Sequence, residues 1–376
     1  MRFPLKLSTL CTLTMISVAP LFAGSFTQTN LVSNIPGLAP VTDPNLVNPW
    51  GISASATSPF WVSNQGTSTS TLYSGTGVKS PLTVTVPPTG APPTGPTGQV
   101  FNSAGAGNFL DPNNNAPASF IFATLAGSID VWNNSNGTTA VVVAPPSGGA
   151  YTGLALANNA GANLLYAANF VPGGGIHVFN SSFAATTLGG SFTDPNLPAG
   201  YSPYNIQNLN GKLYVEYAKI DPVTHRAAVG AGLGYVNVFD TNGNLLQRLA
   251  SNGPLDAPWG IAVAPAGFGS FANDLLVGNF GDGTINAFDP ITGNWLGSLT
   301  DPFGNPIVNS GLWGIQFGNS SADPNALYFA AGINNETDGL FGLIQATPEP
   351  AAAGLVALGV LGMLGYARRR SRKSAA

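Results

Sequence analysis

The side chains best suited to chemistry in this chain are aromatic rings that alternate along the sequence with amide and carboxylate groups. The aromatic residues stand in similar local surroundings and are Trp50, Tyr151, Tyr204, Trp259 and Trp313. The polar residues that follow them are Asn64, Asn169, Glu216, Asn279 and Asp282. Rings stack on apolar faces and amides bond hydroxyls, so the two sets predict a binding face for a sugar or a peptide. The alternative is that the rings pack as core while the polar groups form turns.

Catalytic motifs are lacking in the sequence. The two histidines, His177 and His225, lie far apart, and no Ser-His-Asp pattern, phosphate loop or paired-histidine metal motif is present. His177 stands in an alternating stretch typical of a strand, and His225 follows the Asp221-Pro222 turn. We therefore expect no catalytic residue, and we regard an enzyme as the less favoured class.

The distribution of charge excludes one large class of partner. The whole chain has 12 basic and 16 acidic residues, a net charge of −4. Residues 24–347 hold only five of the basic residues but fifteen of the acidic ones, and 5 − 15 gives −10. Nucleic acids are bound by lysine and arginine against phosphate, so no nucleic-acid partner is expected.

An internal repeat is the main indication of the fold. Pro49-Trp50-Gly51-Ile52 is echoed by Pro258-Trp259-Gly260-Ile261 and Leu312-Trp313-Gly314-Ile315. With weaker copies included, six repeats start near residues 50, 101, 152, 204, 259 and 313. The copy near Phe101 is the weakest. A period of roughly fifty residues with short alternating runs and Asn-Gly or Asp-Gly turns is typical of propeller blades. The sequence predicts an all-β, six-bladed β-propeller over residues 24–346, with a pair of β-sandwiches as the alternative.

The propeller hypothesis also predicts where the segments meet. The first strand of each blade starts on the face where the second strand ends, so the aromatic and polar sets should share one face. A propeller ring closes when a strand from one end of the chain completes the last blade, which hides an unpaired edge. We expect Ser25 to Val32 to supply that strand.

Both ends of the chain have sequence patterns that are typical of targeting segments. Residues 1–23 have a basic start with Arg2 and Lys6, an apolar stretch and a small-residue cleavage point, the pattern of a secretory signal peptide. The only cysteine, Cys11, lies within it, so the exported part has no disulfide. Residues 351–367 are uncharged and mostly apolar, and as a helix they would rise about 25 Å, slightly less than a hydrocarbon core of ~30 Å. We predict a transmembrane helix there.

The carboxyl-terminal segment, residues 347–376, resembles the PEP-CTERM sorting signal of Gram-negative bacteria. The resemblance rests on the box Pro348, Glu349 and Pro350, the apolar span, and the basic cluster Arg368, Arg369 and Arg370. It implies passage through the Sec export machinery, recognition by an exosortase, and anchoring at or release from the cell envelope. The repeats resemble NHL-type propellers and an uncharacterised bacterial propeller family that carries such tails. That resemblance implies no activity.

Three functional hypotheses remain open at this point. The leading one is a binding or scaffold module for extracellular polysaccharide or an envelope surface protein, since exosortase systems accompany exopolysaccharide production. The second is a calcium-dependent hydrolase or lactonase, because Glu216, Asn169, Asn279 and Asp282 resemble the oxygen ligands that propeller lactonases use for calcium. The third is a purely structural envelope protein. The first and third need no cofactor.

Overall fold

The strands form where β-branched and aromatic residues alternate between glycine and asparagine turns. The computed structural model describes residues 24–90, 94–146 and 148–347. The chain begins with β1 (Phe26–Ser33) and the short β2 (Val41–Thr42). The strands form six sheets that stand around one axis. The six-bladed propeller is therefore confirmed, and the pair of β-sandwiches is excluded.

Each blade is an antiparallel sheet whose strands are ordered from the axis outward. Blade 1 consists of β3 (Pro49–Ser53), β4 (Phe60–Asn64), β5 (Thr69–Tyr73) and β6 (Lys79–Thr85). Blade 2 consists of β7 (Pro96–Phe101), β8 (Phe120–Thr124), β9 (Ile129–Trp132) and β10 (Val141–Ala144). Blade 3 consists of β11 (Tyr151–Asn159), β12 (Ala162–Asn169), β13 (Ile176–Phe179) and β14 (Ala185–Thr186).

The second half of the ring repeats this plan. Blade 4 consists of β15 (Tyr201–Leu209), β16 (Lys212–Lys219), β17 (Gly234–Phe239) and β18 (Leu245–Ser251). Blade 5 consists of β19 (Pro258–Val263), β20 (Leu275–Asn279), β21 (Ile285–Phe288) and β22 (Trp295–Ser298). Blade 6 consists of β23 (Leu312–Phe317), β24 (Leu327–Ala331) and β25 (Leu340–Ala346), and β1 completes it.

Helical structure is confined to single turns within the described ranges. Three 3-10 turns span Gln65–Thr67, Asn134–Asn136 and Gly269–Phe271, and the turn α1 spans Ile333–Glu336. None of the described helices has the length and apolar character that crossing a membrane requires. The predicted signal peptide and the predicted span 351–367 lie outside the described residues.

The ring closes through the first strand of the chain, as the sequence predicted. β1 pairs antiparallel with β25, from Phe26 opposite Ala346 to Ser33 opposite Leu340. β2 then adds in parallel to the outer side of β1. The Thr347 amide donates to the Ser25 carbonyl at 2.8 Å, so the described chain begins and ends at one place. Closure therefore covers the edge of β25 that would otherwise be unpaired.

Apolar side chains form a layer between each pair of neighbouring blades. This follows from strand alternation, because successive side chains point to opposite faces of a blade and both faces are covered. The interface of blades 5 and 6 contains Leu276 and Phe329, and that of blades 6 and 1 contains Phe60 and Tyr328. These layers hold each inner strand at a fixed distance from the axis.

The two faces of the propeller are defined by the inner strands. We call the face where the inner strands begin the entry face and the face where they end the exit face. Pro49 pairs with Asn64 and Pro258 with Asn279, so the ends of the second strands lie on the entry face, as predicted. The inner strand β23 ends on the exit face at Phe317, which pairs with Leu327, and Leu327 pairs in turn with Ile344. The end of β25, which includes Ile344 and Ala346, therefore lies on the exit face. Gly24 and Thr347 lie there too.

Deleting residues 24–34 should lower the thermal stability of the protein strongly. The deletion removes β1, exposes the edge of β25 and uncovers Phe26 and Val32, which are fully buried. Burial of two such side chains contributes about 3–6 kcal/mol. Thermal unfolding followed by circular dichroism measures the effect, with the substitution Thr27→Ala at an exposed position of β1 as control. An unchanged melting temperature in the deletion variant would show that closure by β1 is wrong.

Candidate functional site

The inner strands approach one another so closely at the axis that one layer of the channel has almost no room for side chains. Glycine occupies this layer in five blades, at Gly51, Gly98, Gly153, Gly260 and Gly314. A Cβ added to Gly51 would lie 2.5 Å from the Thr97 carbonyl oxygen, and one added to Gly314 would lie 2.6 Å from that of Trp50. The layer, which we call the glycine ring, therefore forms the narrowest part of the channel.

The glycine ring corrects the predicted start of the second repeat. The repeat was placed near Phe101, but the structure places Thr97-Gly98-Gln99 beside Trp50-Gly51-Ile52. Phe101 instead lies at the far end of β7, with its ring 5.6 Å from that of Phe120. The prediction relied on an aromatic residue at the repeat start, and blade 2 has threonine there.

Tyr151 is also out of phase with the other predicted aromatic residues. The position next to the glycine ring in blade 3 is Thr152, not Tyr151. The Tyr151 side chain packs between blades 2 and 3, and its hydroxyl lies 2.8 Å from Nδ1 of His177. Burial lowers the pKa of His177 from its ordinary value. Tyr151 and His177 thus contribute to a blade interface, away from the axis.

On the entry side of the glycine ring, six aromatic side chains fill the channel. We call them the aromatic plug: Trp50, Phe170, Tyr204, Trp259, Phe280 and Trp313. The rings of Trp50 and Trp313 stack with centroids 3.5 Å apart, and Phe280 stacks on Trp313 at 4.2 Å. Trp259 packs edge-on against both tryptophans, at 6.0 Å from Trp50 and 5.7 Å from Trp313.

The aromatic plug is closed to solvent. Trp50 is 5% exposed and Trp313 is fully buried. The indole of Trp313 donates to Oδ1 of Asn48 at 3.0 Å, and that of Trp259 donates to the Thr152 carbonyl at 3.1 Å. The aromatic rings therefore meet on the predicted face but form packing there instead of an open rim. Their assignment as ligand-binding residues stays a prediction.

An ion pair lies across the plug. Arg226, from the loop between β16 and β17, pairs with Glu336, from the turn between β24 and β25. Oε2 of Glu336 also accepts a hydrogen bond from Nδ2 of Asn48 at 3.1 Å. These contacts join blades 4, 6 and 1 over the axis and cover the entry end of the channel.

The turn that carries Glu336 is strained. Asn334, Asn335 and Glu336 have φ values of 54°, 56° and 68°, so three successive non-glycine residues are left-handed. Left-handed backbone costs roughly 1–2 kcal/mol per residue for most side chains. Asp338 stabilises the turn, because its carboxylate accepts from Asn334 at 3.0 Å and from Asn34 at 2.7 Å.

Three of the predicted polar residues, Asn64, Asn169 and Asn279, are the last residues of second strands. Oδ1 of Asn169 accepts from the Ala150 amide at 2.9 Å, and Oδ1 of Asn279 accepts from the Asp256 amide at 3.1 Å. Nδ2 of Asn64 donates to the Thr71 hydroxyl at 2.9 Å. Asp282 is exposed and accepts from Thr284 within its own turn. Within the described ranges, no three His, Cys, Asp or Glu side chains are grouped so that they could hold a metal ion.

Glu216 occupies an exceptional place in the blade pattern. It is fully buried and pairs with Asn205, which replaces the glycine of the glycine ring in blade 4. Nδ2 of Asn205 donates to the Trp259 carbonyl at 2.6 Å, while neither oxygen of Glu216 has a partner in the part of the chain that is described. Burial raises the pKa of Glu216 well above its ordinary value, because the buried site disfavours the charged carboxylate.

On the exit side of the glycine ring, the channel widens into a cavity of about 530 Å³. We call it the exit funnel. Aliphatic side chains from the inner strands, such as Ile261 and Ile315, line its walls together with Phe101 and Phe317. The remaining side chains that line it are polar and uncharged: Ser53, Gln99, Ser103, Gln207, Asn208, Asn210 and Gln316. No ionisable residue is among the described lining residues.

Two of these polar groups, on Gln207 and Gln316, are available to a ligand, and the buried Ser53 lies in the same layer. Ser53, Gln207 and Gln316 occupy matching positions in blades 1, 4 and 6, each three residues after the aromatic residue of the repeat. The Ser53 hydroxyl is buried without a partner, and the hydrogen bonds of the described residues use neither glutamine side chain. Gln99 differs, because its Nε2 donates to the Gly51 carbonyl at 3.0 Å and its Oε1 accepts from Ser70 at 3.3 Å.

The exit funnel has no passage to the entry face. Between it and the aromatic plug lies a void of about 10 Å³, bordered by the glycine ring and Asn205. A water molecule needs roughly 10–15 Å³, so this void holds one water at most. Sequence reasoning missed the exit funnel because it followed the aromatic residues. The recurring polar position three residues after them was the signal that could have found it.

The fold and the geometry of the site show that this protein is a six-bladed β-propeller whose central channel is closed at one end. The chain belongs to the same family as two uncharacterised proteins of Acanthamoeba polyphaga mimivirus. Protein R648 is 35% identical over 333 residues, with 84% of this chain and 78% of the relative covered. Protein L690 is 33% identical over 329 residues, with 83% of each chain covered. No protein-family model matches the sequence.

Solved structures share the fold at low sequence identity. An α-L-arabinofuranosidase of Fusarium graminearum in complex with an iminosugar inhibitor superposes with a TM-score of 0.54 at 11% identity, over 86% of this chain and 98% of its own. An α-L-arabinanase of Penicillium chrysogenum in complex with arabinobiose superposes with a TM-score of 0.51 at 12% identity. The match covers 85% of this chain and 98% of the arabinanase. At such identities the likeness extends to the fold alone.

Stability should fall with rising pH because of a second buried carboxylate, Asp130. It is fully buried on β9, and its oxygens have no partner among the described residues, so burial raises its pKa to about 7. A raised pKa favours the folded state at low pH, and that contribution disappears between about pH 4 and pH 7. The substitution Asp130→Asn should remove this loss and make the protein more stable at pH 8.

Denaturant unfolding between pH 4 and pH 8 tests this dependence. The matched control is Asp289→Asn, because backbone hydrogen bonds from Thr292 and Ile291 lower the pKa of Asp289. The Asp289→Asn variant should be less stable than the wild type at neutral pH. This change is opposite in sign to that expected for Asp130→Asn. Equal pH profiles for the wild type and Asp130→Asn would contradict the account of Asp130.

Proposed function

We propose that this propeller binds an uncharged, hydroxyl-rich ligand in the exit funnel, and that the ligand is an extracellular polysaccharide. The observation that carries the proposal is the chemistry of the funnel wall. Aliphatic and aromatic side chains alternate there with free amide and hydroxyl groups, and ionisable residues are absent from its described lining. Sugars present apolar C–H faces and many hydroxyls, which this combination matches.

The size of the funnel also suits this class of ligand. Its volume of about 530 Å³ falls within the range of roughly 300–1,000 Å³ that small-molecule sites occupy. The channel narrows at the glycine ring and is blocked by the plug, so a polymer can enter only by an end or a side branch. The proposed module therefore recognises termini or branches of a polysaccharide.

Binding is favoured over hydrolysis by the same lining. Hydrolysis of a glycosidic bond by the usual mechanism needs two carboxyl groups on either side of the bond. The described lining of the exit funnel supplies no acid or base, and Asn169, Asn279 and Asp282 are engaged in loops on the other face. The solved neighbours named above include enzymes that act on arabinose-containing sugars. That activity is theirs, and only the suitability of the fold for sugar binding supports the proposal.

We further propose that the protein is exported and held at the cell envelope by its carboxyl-terminal segment. The support is the signal peptide at residues 1–23, the Pro348-Glu349-Pro350 box, the apolar span 351–367 and the basic cluster that follows. The proposed partners are the Sec machinery, an exosortase and the membrane. Because Thr347 leaves the propeller on the exit face, the anchored protein would turn its funnel toward the envelope.

Replacing Gln207 and Gln316 together by leucine should weaken polysaccharide binding by roughly 10- to 30-fold. Leucine keeps the volume but removes two hydrogen bonds of about 1 kcal/mol each, and 1.4 kcal/mol corresponds to a factor of ten. A glycan array identifies the polysaccharide and isothermal titration calorimetry then measures its affinity. Gln247→Leu, on the outer strand of blade 4, is the matched control. Equal affinities of all three proteins would refute the funnel as the site, and an array without any binding would favour the structural role.

Replacing Pro348, Glu349 and Pro350 by alanine should abolish processing of the tail. The box is the element of the tail that an exosortase would recognise, whereas the apolar span should still retain the protein in the membrane. Membrane fractionation with immunoblotting of the full-length protein, in a host that contains an exosortase, shows both effects. Thr347→Ala serves as the control. Identical processing of the alanine variant and the wild type would overturn the sorting proposal.

A further inference from the structure

A second recess lies on the entry face at the outer side of blade 6. Its volume is about 550 Å³, similar to that of the exit funnel. We call it the asparagine recess after the residues that carry the argument: Gln28, Leu38, Val308, Asn309, Asn334 and Asn335. It shares no lining residue with the exit funnel.

The recess combines exposed apolar side chains with carboxamides. Leu38 is 39% exposed and Val308 is 54% exposed, which leaves an apolar surface open to solvent. Gln28 and Asn309 hold each other in place, with Nε2 of Gln28 donating at 3.0 Å and Nδ2 of Asn309 donating back at 2.8 Å. Apolar surface beside fixed amide groups is the combination found in sites for small polar ligands.

The strained turn presents further amides to the same recess. Asn334 and Asn335 belong to the left-handed run, and both line the recess. The hydrogen bond from Asn334 to Asp338 holds the run in place, whereas the Asn335 side chain makes no hydrogen bond to the described residues. Strained backbone persists where surrounding contacts over-determine it, and such positions cluster at ligand clamps.

We propose that the asparagine recess is a second binding site and that its ligand is an uncharged sugar. No ionisable side chain lines the described recess, so it offers nothing to pair with a phosphate, sulfate or carboxylate group. Leu38 and Val308 would contact the C–H face of a sugar ring, and Asn335 would bond its hydroxyls. This site stands on its own residues and does not depend on binding in the exit funnel.

The test uses the full-length protein and a panel of neutral disaccharides: arabinobiose, cellobiose, maltose and lactose. Crystals are soaked in each sugar at millimolar concentration, and calorimetry gives the stoichiometry for any sugar that binds. The variant Val308→Asp introduces a charge into the recess at an exposed position. Ile291→Asp, at a position 79% exposed on blade 5, is the matched control.

The proposal expects sugar density against Leu38 and Asn335, which Val308→Asp abolishes and Ile291→Asp preserves. The double variant Gln207→Leu and Gln316→Leu should keep this density, because it changes only the exit funnel. The proposal is overturned if no sugar of the panel occupies the recess, or if Val308→Asp leaves its occupancy unchanged. Density in the recess alone would reject the funnel proposal while supporting this one.

Discussion

The close approach of the six inner strands at the axis is the constraint on which the rest of this structure depends. At the glycine ring, a neighbouring carbonyl oxygen stands where a Cβ of Gly51 or Gly314 would be. The strands diverge on both sides of that layer because blades twist. Large rings fill the channel on the entry side of the layer, and an open cavity lies on the exit side. The aromatic plug and the exit funnel are two consequences of the same narrow layer.

Blade 4 shows what happens when this constraint is broken. Asn205 stands in the glycine ring and Glu216 stands opposite it on the second strand. Nδ2 of Asn205 bonds the Trp259 carbonyl, so the larger side chain is accommodated by tying blade 4 to blade 5. Glu216 receives no comparable bond within the described ranges, and burial raises its pKa well above the ordinary value. The irregular blade thus adds a polar element to an otherwise apolar interface.

The fold was predictable from the sequence because a repeat of about fifty residues needs no knowledge of tertiary contacts. The Trp-Gly-Ile repeats located the inner strands, and the antiparallel course of the first two strands placed Asn64 and Asn279 on the face where the inner strands begin. The start of blade 2 was misplaced because Thr97-Gly98-Gln99 lacks the aromatic residue that marks the other copies. The Thr-Gly pair that it shares with Thr152-Gly153 of blade 3 was the signal that could have found it.

The state of the candidate site was not predictable in the same way. Whether Trp50 and Trp313 form an open rim or a closed plug depends on Phe170 and Phe280, which arrive from other loops. It depends also on Arg226 and Glu336, which are 110 residues apart in sequence. No local pattern encodes such contacts. The funnel residues Gln207 and Gln316 escaped notice because the sequence interpretation followed the aromatic residues three positions before them.

The central claim, that the entry end of the channel is closed by buried aromatic rings, can be tested by quenching of tryptophan fluorescence with acrylamide. Trp295 is 54% exposed, whereas the other five tryptophans are at most 5% exposed. In the variant Trp295→Phe, the remaining tryptophans should be strongly protected from the quencher. Efficient quenching in that variant, comparable to that of Trp295 in the wild type, would show an open rim and contradict the account.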